Sequence, residues 1–275
     1  MPLGRQTMKA NNRAHLARWG SWFLIAAIFS VACWFLSQWQ FSRQDEVSRA
    51  NGIINKNYAL DSTALEEVLQ VNQNWKPQLE FRAVTLSGKY LPEKTFLVRN
   101  RPFDGNPGFL QIAAFKTDSG SIFWVERGWL PTGTKQDAPD NIPQLNDEQR
   151  SLTVRLRPTE KPDSRQAPSG QLPNIDLEKA SASIADQKIY LQAYGRLVAE
   201  SPELDRGQDL GKPQLSEGNH LSYAFQWIIF GLMAFGAVIW NIGQDRRRMS
   251  GQAPRKLASL NRDVDGEIED KILEK

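Results

Sequence analysis

The chain has 275 residues, of which 40% are hydrophobic, and a formal net charge of +3. Its single cysteine, Cys33, excludes an intramolecular disulfide and a metal cluster held by several cysteines. Basic residues stand beside two apolar runs near the ends, so the charge indicates membrane orientation, and no nucleic acid is expected as a partner.

Residues 1–18 form a basic leader without an acidic residue, which is predicted to be cytoplasmic. Residues 19–41 follow without a charged side chain, and this length is enough for a helix to cross ~30 Å of hydrocarbon. A cleaved signal peptide is the alternative interpretation. Bulky residues, Trp34 and Phe35 among them, occupy the place of a small-residue cleavage site. The run is therefore predicted to be an uncleaved transmembrane helix.

Small side chains recur on one face of this first predicted helix. Ala26, Ser30, Cys33 and Ser37 lie at positions i, i+4, i+7 and i+11. Small residues let a second membrane helix approach closely, so this face is predicted to contact the second span.

Residues 42–219 are predicted to form a periplasmic or intermembrane-space domain of α+β class, built on a small antiparallel β-sheet or barrel with short helices. Residues 42–58 continue the first helix, and Thr63 with Glu66 gives a T-x-x-E signal for a short helix. Residues 118–120 predict a hairpin turn. Apolar segments predict strands at 79–86, 95–100, 108–117, 121–130, 151–157 and 189–198, and a short helix is predicted at 176–185.

Residues 220–242 form the second uncharged run and are predicted to be transmembrane helix 2, followed by a charged cytoplasmic tail at 243–275. Basic residues beside both runs place both termini in the cytoplasm. The predicted location is the cell inner membrane, with two spans, and the mitochondrial inner membrane is the alternative.

His220, Tyr223 and Trp227 form the first candidate site, because they share one stripe of a helix at i, i+3 and i+7. An imidazole between aromatic side chains at a membrane surface suits an axial ligand to a haem iron. The alternative is an interfacial histidine that hydrogen-bonds to water or membrane lipid headgroups. In that case Tyr223 and Trp227 belong to the aromatic belt of the membrane.

Arg127 is the second candidate, within the sequence VERGWLP at 125–131. One interpretation is an arginine at the domain surface that binds a carboxylate or phosphate. The other is a strand end, where Gly128 allows an unusual backbone turn and Trp129 packs over it. No G-x-S-x-G, P-loop, G-x-G-x-x-G or H-E-x-x-H motif is present, and the chain is predicted not to be an enzyme.

Three motifs in order between two spans resemble the surfeit-locus (Shy-type) family of cytochrome c oxidase assembly factors. The first is GKY at 88–90 with RNRP at 99–102 and GNPG at 105–108. The second is WVERGWLP at 124–131, close to the family's V-N-R-G-W-[VI]-P. The third is NHLSYAFQW at 219–227, close to N-H-x-x-Y-A-x-x-W. The chain departs from the family at Glu126, where Asn is usual, and at residues 113–114, where Thr-Pro is common.

The resemblance implies a role in building the haem–copper oxidase, by receiving haem a or handing it to the large subunit. The partners it implies are that large subunit and the haem a synthesis machinery. It also implies that His220 is the ligand to haem a iron, while Arg127 as a partner of a haem propionate is a hypothesis. The alternative function is an envelope scaffold or sensor that binds a protein or lipid without haem.

Overall fold

The computed structural model describes residues 4–134, 137–185 and 188–250, and the side chains among them from residue 15 onward. The chain divides into a helical unit, Met1–Glu46 with Glu217–Lys275, and a barrel unit, Val47–Ser216. Most of the tail predicted at 243–275 lies outside the described residues.

Two long helices dominate the helical unit: α1 is Gly4–Ala59, which continues into the barrel unit, and α4 is His220–Met249. Helix α1 begins well before the predicted residue 19, and its continuation through residue 58 is confirmed. Their most apolar windows have mean hydropathies of 1.8 and 1.7, and only 17% and 11% of those windows are buried. Exposed apolar surface of this extent is typical of helices solvated by lipid.

The small face of α1 packs against α4, as predicted. Ala26, Cys33 and Ser37 are buried, and the Ser30 hydroxyl donates a 2.9 Å hydrogen bond to the carbonyl of Gly231. Such close approach requires small side chains on both helices, because bulky ones would hold the backbones apart.

The barrel unit holds short helices between strands. In chain order the further elements are β1 (Thr63–Ala64), α2 (Leu65–Val68), a 3₁₀ turn (Pro77–Leu79), β2 (Ala83–Val98), β3 (Gly108–Thr117), β4 (Ile122–Pro131), β5 (Gln149–Pro158), β6 (Gln171–Leu172), α3 (Leu177–Ser181) and β7 (Ala193–Ser201).

Five long strands close on themselves in the order β2-β3-β4-β7-β5-β2. The α+β class and the barrel are confirmed, with one difference: β4 and β7 run parallel, while the other neighbours are antiparallel. A parallel pair needs a long connection, which the intervening β5 and α3 provide. Closure removes the exposed edges of the long strands.

Strands β3 and β4 are hydrophobic at nearly every position because an apolar cluster packs on each of their two faces. Ala113 and Phe115 of β3 belong to one cluster, and Ile112 and Ala114 belong to a second cluster that includes Leu177 of α3. Both faces of these strands are therefore buried, which favours apolar residues at every position. Helix α3 begins where the Asp176 side chain accepts hydrogen bonds from two backbone N–H groups.

Several local boundaries differ from the sequence predictions, among them those of α2, α3, β2 and β7. The strands predicted at 79–86 and 95–100 are one strand, β2, with an irregularity between Tyr90 and Thr95. The strand stays continuous because β3 pairs with it on both sides of this irregularity, while β5 pairs with its first part. Thr63 joins β1 instead of capping a helix, and α2 begins after Ala64 without a side-chain cap.

Candidate functional site

His220 begins α4, and the structure sets it beside Gln40 of α1. The Nδ1 atom of His220 lies 2.9 Å from Oε1 of Gln40. Phe41 and Phe225 pack edge to face beside this pair, with ring centroids 5.8 Å apart. Gln44, one turn further along α1, donates a 3.2 Å hydrogen bond to Glu217. Contacts on both sides therefore hold Gln40 against the start of α4.

The other ring nitrogen of His220, Nε2, makes no hydrogen bond within the part of the chain that the structure describes. Gly218 lies beside it with a φ of +66°, a conformation that favours glycine. A β-carbon at Gly218 would lie 3.4 Å from Nε2 and 3.3 Å from Cδ2 of His220. The missing side chain therefore leaves the Nε2 edge of the ring uncrowded.

Tyr223 and Trp227 follow His220 along α4. Tyr223 is 50% exposed, and the half-buried Trp227 packs edge to face on Phe230 at 5.8 Å between centroids. Ala224, on the turn between them, is fully buried. The three residues of the predicted stripe therefore lie on one helix, α4. The small residue Ala224 is buried beside the two aromatic rings.

Arg127 does not lie at the domain surface, and that expectation is wrong. Its side chain is fully buried and pairs with Glu200 at 3.0 Å. It also donates to Gln111 at 3.3 Å and to the carbonyl of Asp205 at 3.0 Å. Tyr90 stacks its ring beneath the guanidinium and donates a hydrogen bond to the same Glu200 carboxylate.

In this network the negative charge of Glu200 compensates the positive charge of Arg127 inside the barrel. Burial, and then the charge of Glu200, raise the pKa of Tyr90, so its hydroxyl stays protonated and acts as a donor. Gly128 next to Arg127 has a φ of +116°, and a β-carbon there would lie 2.5 Å from the carbonyl of Gly207. The alternative interpretation of this motif holds in part: Gly128 has the unusual backbone conformation, but it lies within β4, where the pairing with β3 shifts register, and not at a strand end.

The first two motifs meet in space. Trp129 donates a 2.6 Å hydrogen bond from Nε1 to the carbonyl of Arg101 and packs on Phe103. Gly108 lies against the Trp129 indole, where a β-carbon would approach to 2.4 Å. These glycine and tryptophan positions therefore serve packing of the barrel.

A cavity of about 430 Å³ adjoins this contact and is lined by residues that include Arg99 and Arg101. Both guanidinium groups are already paired. Arg99 contacts Asp137, and Arg101 donates two hydrogen bonds to Glu160, at 2.8 and 2.5 Å. Burial raises the pKa of Glu160, but hydrogen bonds from Arg101 and the Ile175 backbone outweigh it, and the net pKa lies below its usual value.

Comparison with known proteins places the chain in a family. The profile of the SURF1 family matches residues 27–232. The chain belongs to the SURF1 family. Uncharacterised SURF1-like proteins of Mycobacterium bovis and of two Mycobacterium tuberculosis strains are each 30% identical to it over 225 residues, which is 78% of this chain and 80% of each relative. The family is associated with cytochrome c oxidase assembly.

A haem iron and a bare metal ion require different numbers of donors from the protein. Among the described residues there is no group of three or more His, Cys, Asp or Glu side chains that could hold a metal ion. A haem iron is already held by its macrocycle and needs only an axial donor. His220 offers an Nε2 atom whose edge Gly218 leaves clear.

Two residues of this site, Gln40 and Gly218, were missing from the sequence prediction. Gln40 lies three residues after Ser37, so it continues the small face toward the end of the first apolar run. The position of a polar residue, Gln40, at the end of the small face that contacts α4 was the signal in the sequence that could have identified this residue.

Proposed function

We propose that this chain is a membrane-anchored assembly factor for cytochrome c oxidase, which binds haem a through His220 and aids its delivery to the large subunit. The observation that carries the proposal is the uncrowded Nε2 of His220, held by Gln40 at the start of an apolar helix. When bound, haem a would supply an iron that can accept a nitrogen donor, an apolar ring with a farnesyl tail, and two propionates.

The chain's own residues would then do two things. At the start of α4, where an apolar span begins, Nε2 of His220 would donate a lone pair to the iron. Tyr223 and Trp227 add aromatic surface on the same stripe, next to lipid. Arg127 takes no part, because its charge is fully buried and paired with Glu200.

The proposed location is the inner membrane, with both termini in the cytoplasm. Basic residues flank both spans on the side of the termini, as the positive-inside rule requires. The proposed partners are the oxidase large subunit, the haem a synthesis machinery and membrane lipid. The protein has no proposed catalytic residue; the family comprises assembly factors.

Membranes lacking this protein test the proposed function. We expect reduced oxidase activity and reduced haem a content, both restored by the wild-type gene and by His15→Ala, the chain's other histidine. His220→Ala should restore neither, while accumulating to the same level in the membrane. Full restoration by His220→Ala, together with a colourless wild-type protein purified from cells that make haem a, would instead favour a scaffold or sensor.

A further inference from the structure

The contact between Gln40 and His220 links the orientation of the Gln40 amide to the tautomer of the imidazole. The atom of Gln40 that faces Nδ1 at 2.9 Å is the carbonyl oxygen Oε1, which can only accept a hydrogen bond. With the Gln40 amide in this orientation, Nδ1 is the donor. In a neutral imidazole the other nitrogen, Nε2, then carries the lone pair.

We propose that Gln40 is a positioning residue, which holds His220 as the Nδ1–H tautomer and so presents Nε2 as a ready-made donor to a haem iron. The haem part of this statement rests on the function proposed above. Gln40 reaches no ligand itself; it acts through the imidazole.

The surroundings of Gln40 are built to keep this geometry. Gln40 is half-buried on the face of α1 that contains the buried Ser37, one turn earlier. The pair formed by Phe41 and Phe225 holds the two helices together beside it. These contacts orient the imidazole of His220 before a ligand binds. Binding therefore loses less side-chain entropy than it would with a freely rotating imidazole.

A hydrogen bond donated by Nδ1 also makes Nε2 a stronger electron-pair donor to a metal. Partners of this kind raise the basicity of a coordinated histidine, and their removal typically lowers metal affinity by about 10–100-fold. A stronger donor stabilises the ferric state more than the ferrous state. The reduction potential of bound haem should therefore rise when the Gln40 acceptor is removed and fall when it is replaced by a carboxylate.

The first experiment needs no haem. Imidazole nitrogens of the ¹⁵N-labelled full-length protein in detergent are observed by NMR at alkaline pH. His15→Gln leaves His220 as the chain's one remaining histidine and assigns its signals. We expect protonated Nδ1 and unprotonated Nε2 in the wild type, and a mixture of tautomers in Gln40→Leu. Gln38→Leu, an exposed position on the same helix, should match the wild type.

The second experiment adds haem a to the same proteins. We expect Gln40→Leu to bind about 10–100-fold more weakly, with a raised reduction potential, while Gln40→Glu binds well and has a lowered potential. Protonated Nε2 in the wild type, or no change of tautomer, affinity and potential in Gln40→Leu, would overturn the proposal. If the NMR result is as expected but the wild type does not bind haem a, the positioning role stands and the proposed function fails.

Discussion

Gly231 and Cys33 face each other across the contact between α1 and α4, where a β-carbon at position 231 would lie 3.6 Å from Cβ of Cys33. Natural disulfides have Cβ atoms about 3.5–4.5 Å apart. We therefore predict that Gly231→Cys forms an intramolecular disulfide with Cys33 under mild oxidation. Because Cys33 is the chain's single cysteine, no background disulfide within one molecule competes.

A protease site inserted after Gln166, in an exposed loop, makes the result visible. After cleavage the two fragments of oxidised Gly231→Cys should migrate together on a non-reducing gel and separate after reduction. The matched control is Gly236→Cys, where a β-carbon meets nothing within 4 Å. Fragments that separate in both variants would contradict the described packing of α1 and α4.

The buried pair of Arg127 and Glu200 should matter for stability rather than for ligand binding. Arg127→Met removes one partner and leaves the Glu200 carboxylate uncompensated, which typically costs about 3–5 kcal/mol. Denaturant unfolding of the full-length protein in detergent, followed by tryptophan fluorescence, measures this loss. Arg165→Met, which removes an exposed arginine, should leave the unfolding midpoint unchanged.

A double-mutant cycle tests whether Arg127 and Glu200 stabilise the protein as an ion pair or independently of each other. The double variant Arg127→Met with Glu200→Gln should lose less than the sum of the single variants, with a difference of about 1–3 kcal/mol. Additive losses would mean that the two side chains do not act as a pair.

Glu126 stands where the family usually has Asn, and the structure gives a physical reason for the difference. It is fully buried and accepts a 2.7 Å hydrogen bond from Nε of Arg196, its register partner on β7. Glu126→Asn should therefore destabilise the protein by about 3 kcal/mol, since Arg196 would lose its counter-charge. Adding Arg196→Met should recover much of the loss. An unfolding midpoint unaffected by Glu126→Asn would contradict this coupling.

Glu160 predicts a pH dependence of stability. Its pKa in the folded protein lies below the usual 4.5, because hydrogen bonds from Arg101 and the Ile175 backbone outweigh burial. A lowered folded pKa contributes stability that is present above pH 4.5 and is lost as the pH falls through the folded value. Glu160→Gln should therefore be less stable than wild type at neutral pH, and the difference should shrink in acid.

Unfolding curves recorded across that pH range check this prediction. The control is Glu93→Gln, a substitution at an exposed carboxylate of β2, which should follow the wild-type pH profile. A stability difference for Glu160→Gln that stays constant from neutral to acid pH would rule out the linkage.

The helices were predictable because their signals are local. Two uncharged runs of sufficient length identify the spans, and small residues at helical spacing identify the contact face that Ala26 and Cys33 form. The class of the barrel unit followed from alternation and turns. Its parallel pair of β4 and β7 did not follow, because that pairing depends on how distant strands meet when the barrel closes.

The position of Arg127 could not be deduced from its motif. An arginine beside glycine and tryptophan suits a surface anion site as well as a buried pair. What decides between them is the partner Glu200, 73 residues later in the chain, and no local pattern connects the two. The position of His220 at the start of α4 was predictable because the boundary of an apolar run marks it, whereas its contact with Gln40 required knowledge of how α1 and α4 face each other.

The most direct test of the central claim is the visible spectrum of the full-length protein, purified in detergent after co-production with the haem a pathway. The wild type and His15→Ala should carry haem a, and His220→Ala should lose that absorbance while remaining folded by circular dichroism. The same amount of haem a per protein in His220→Ala as in the wild type would contradict the role of His220 as the iron ligand.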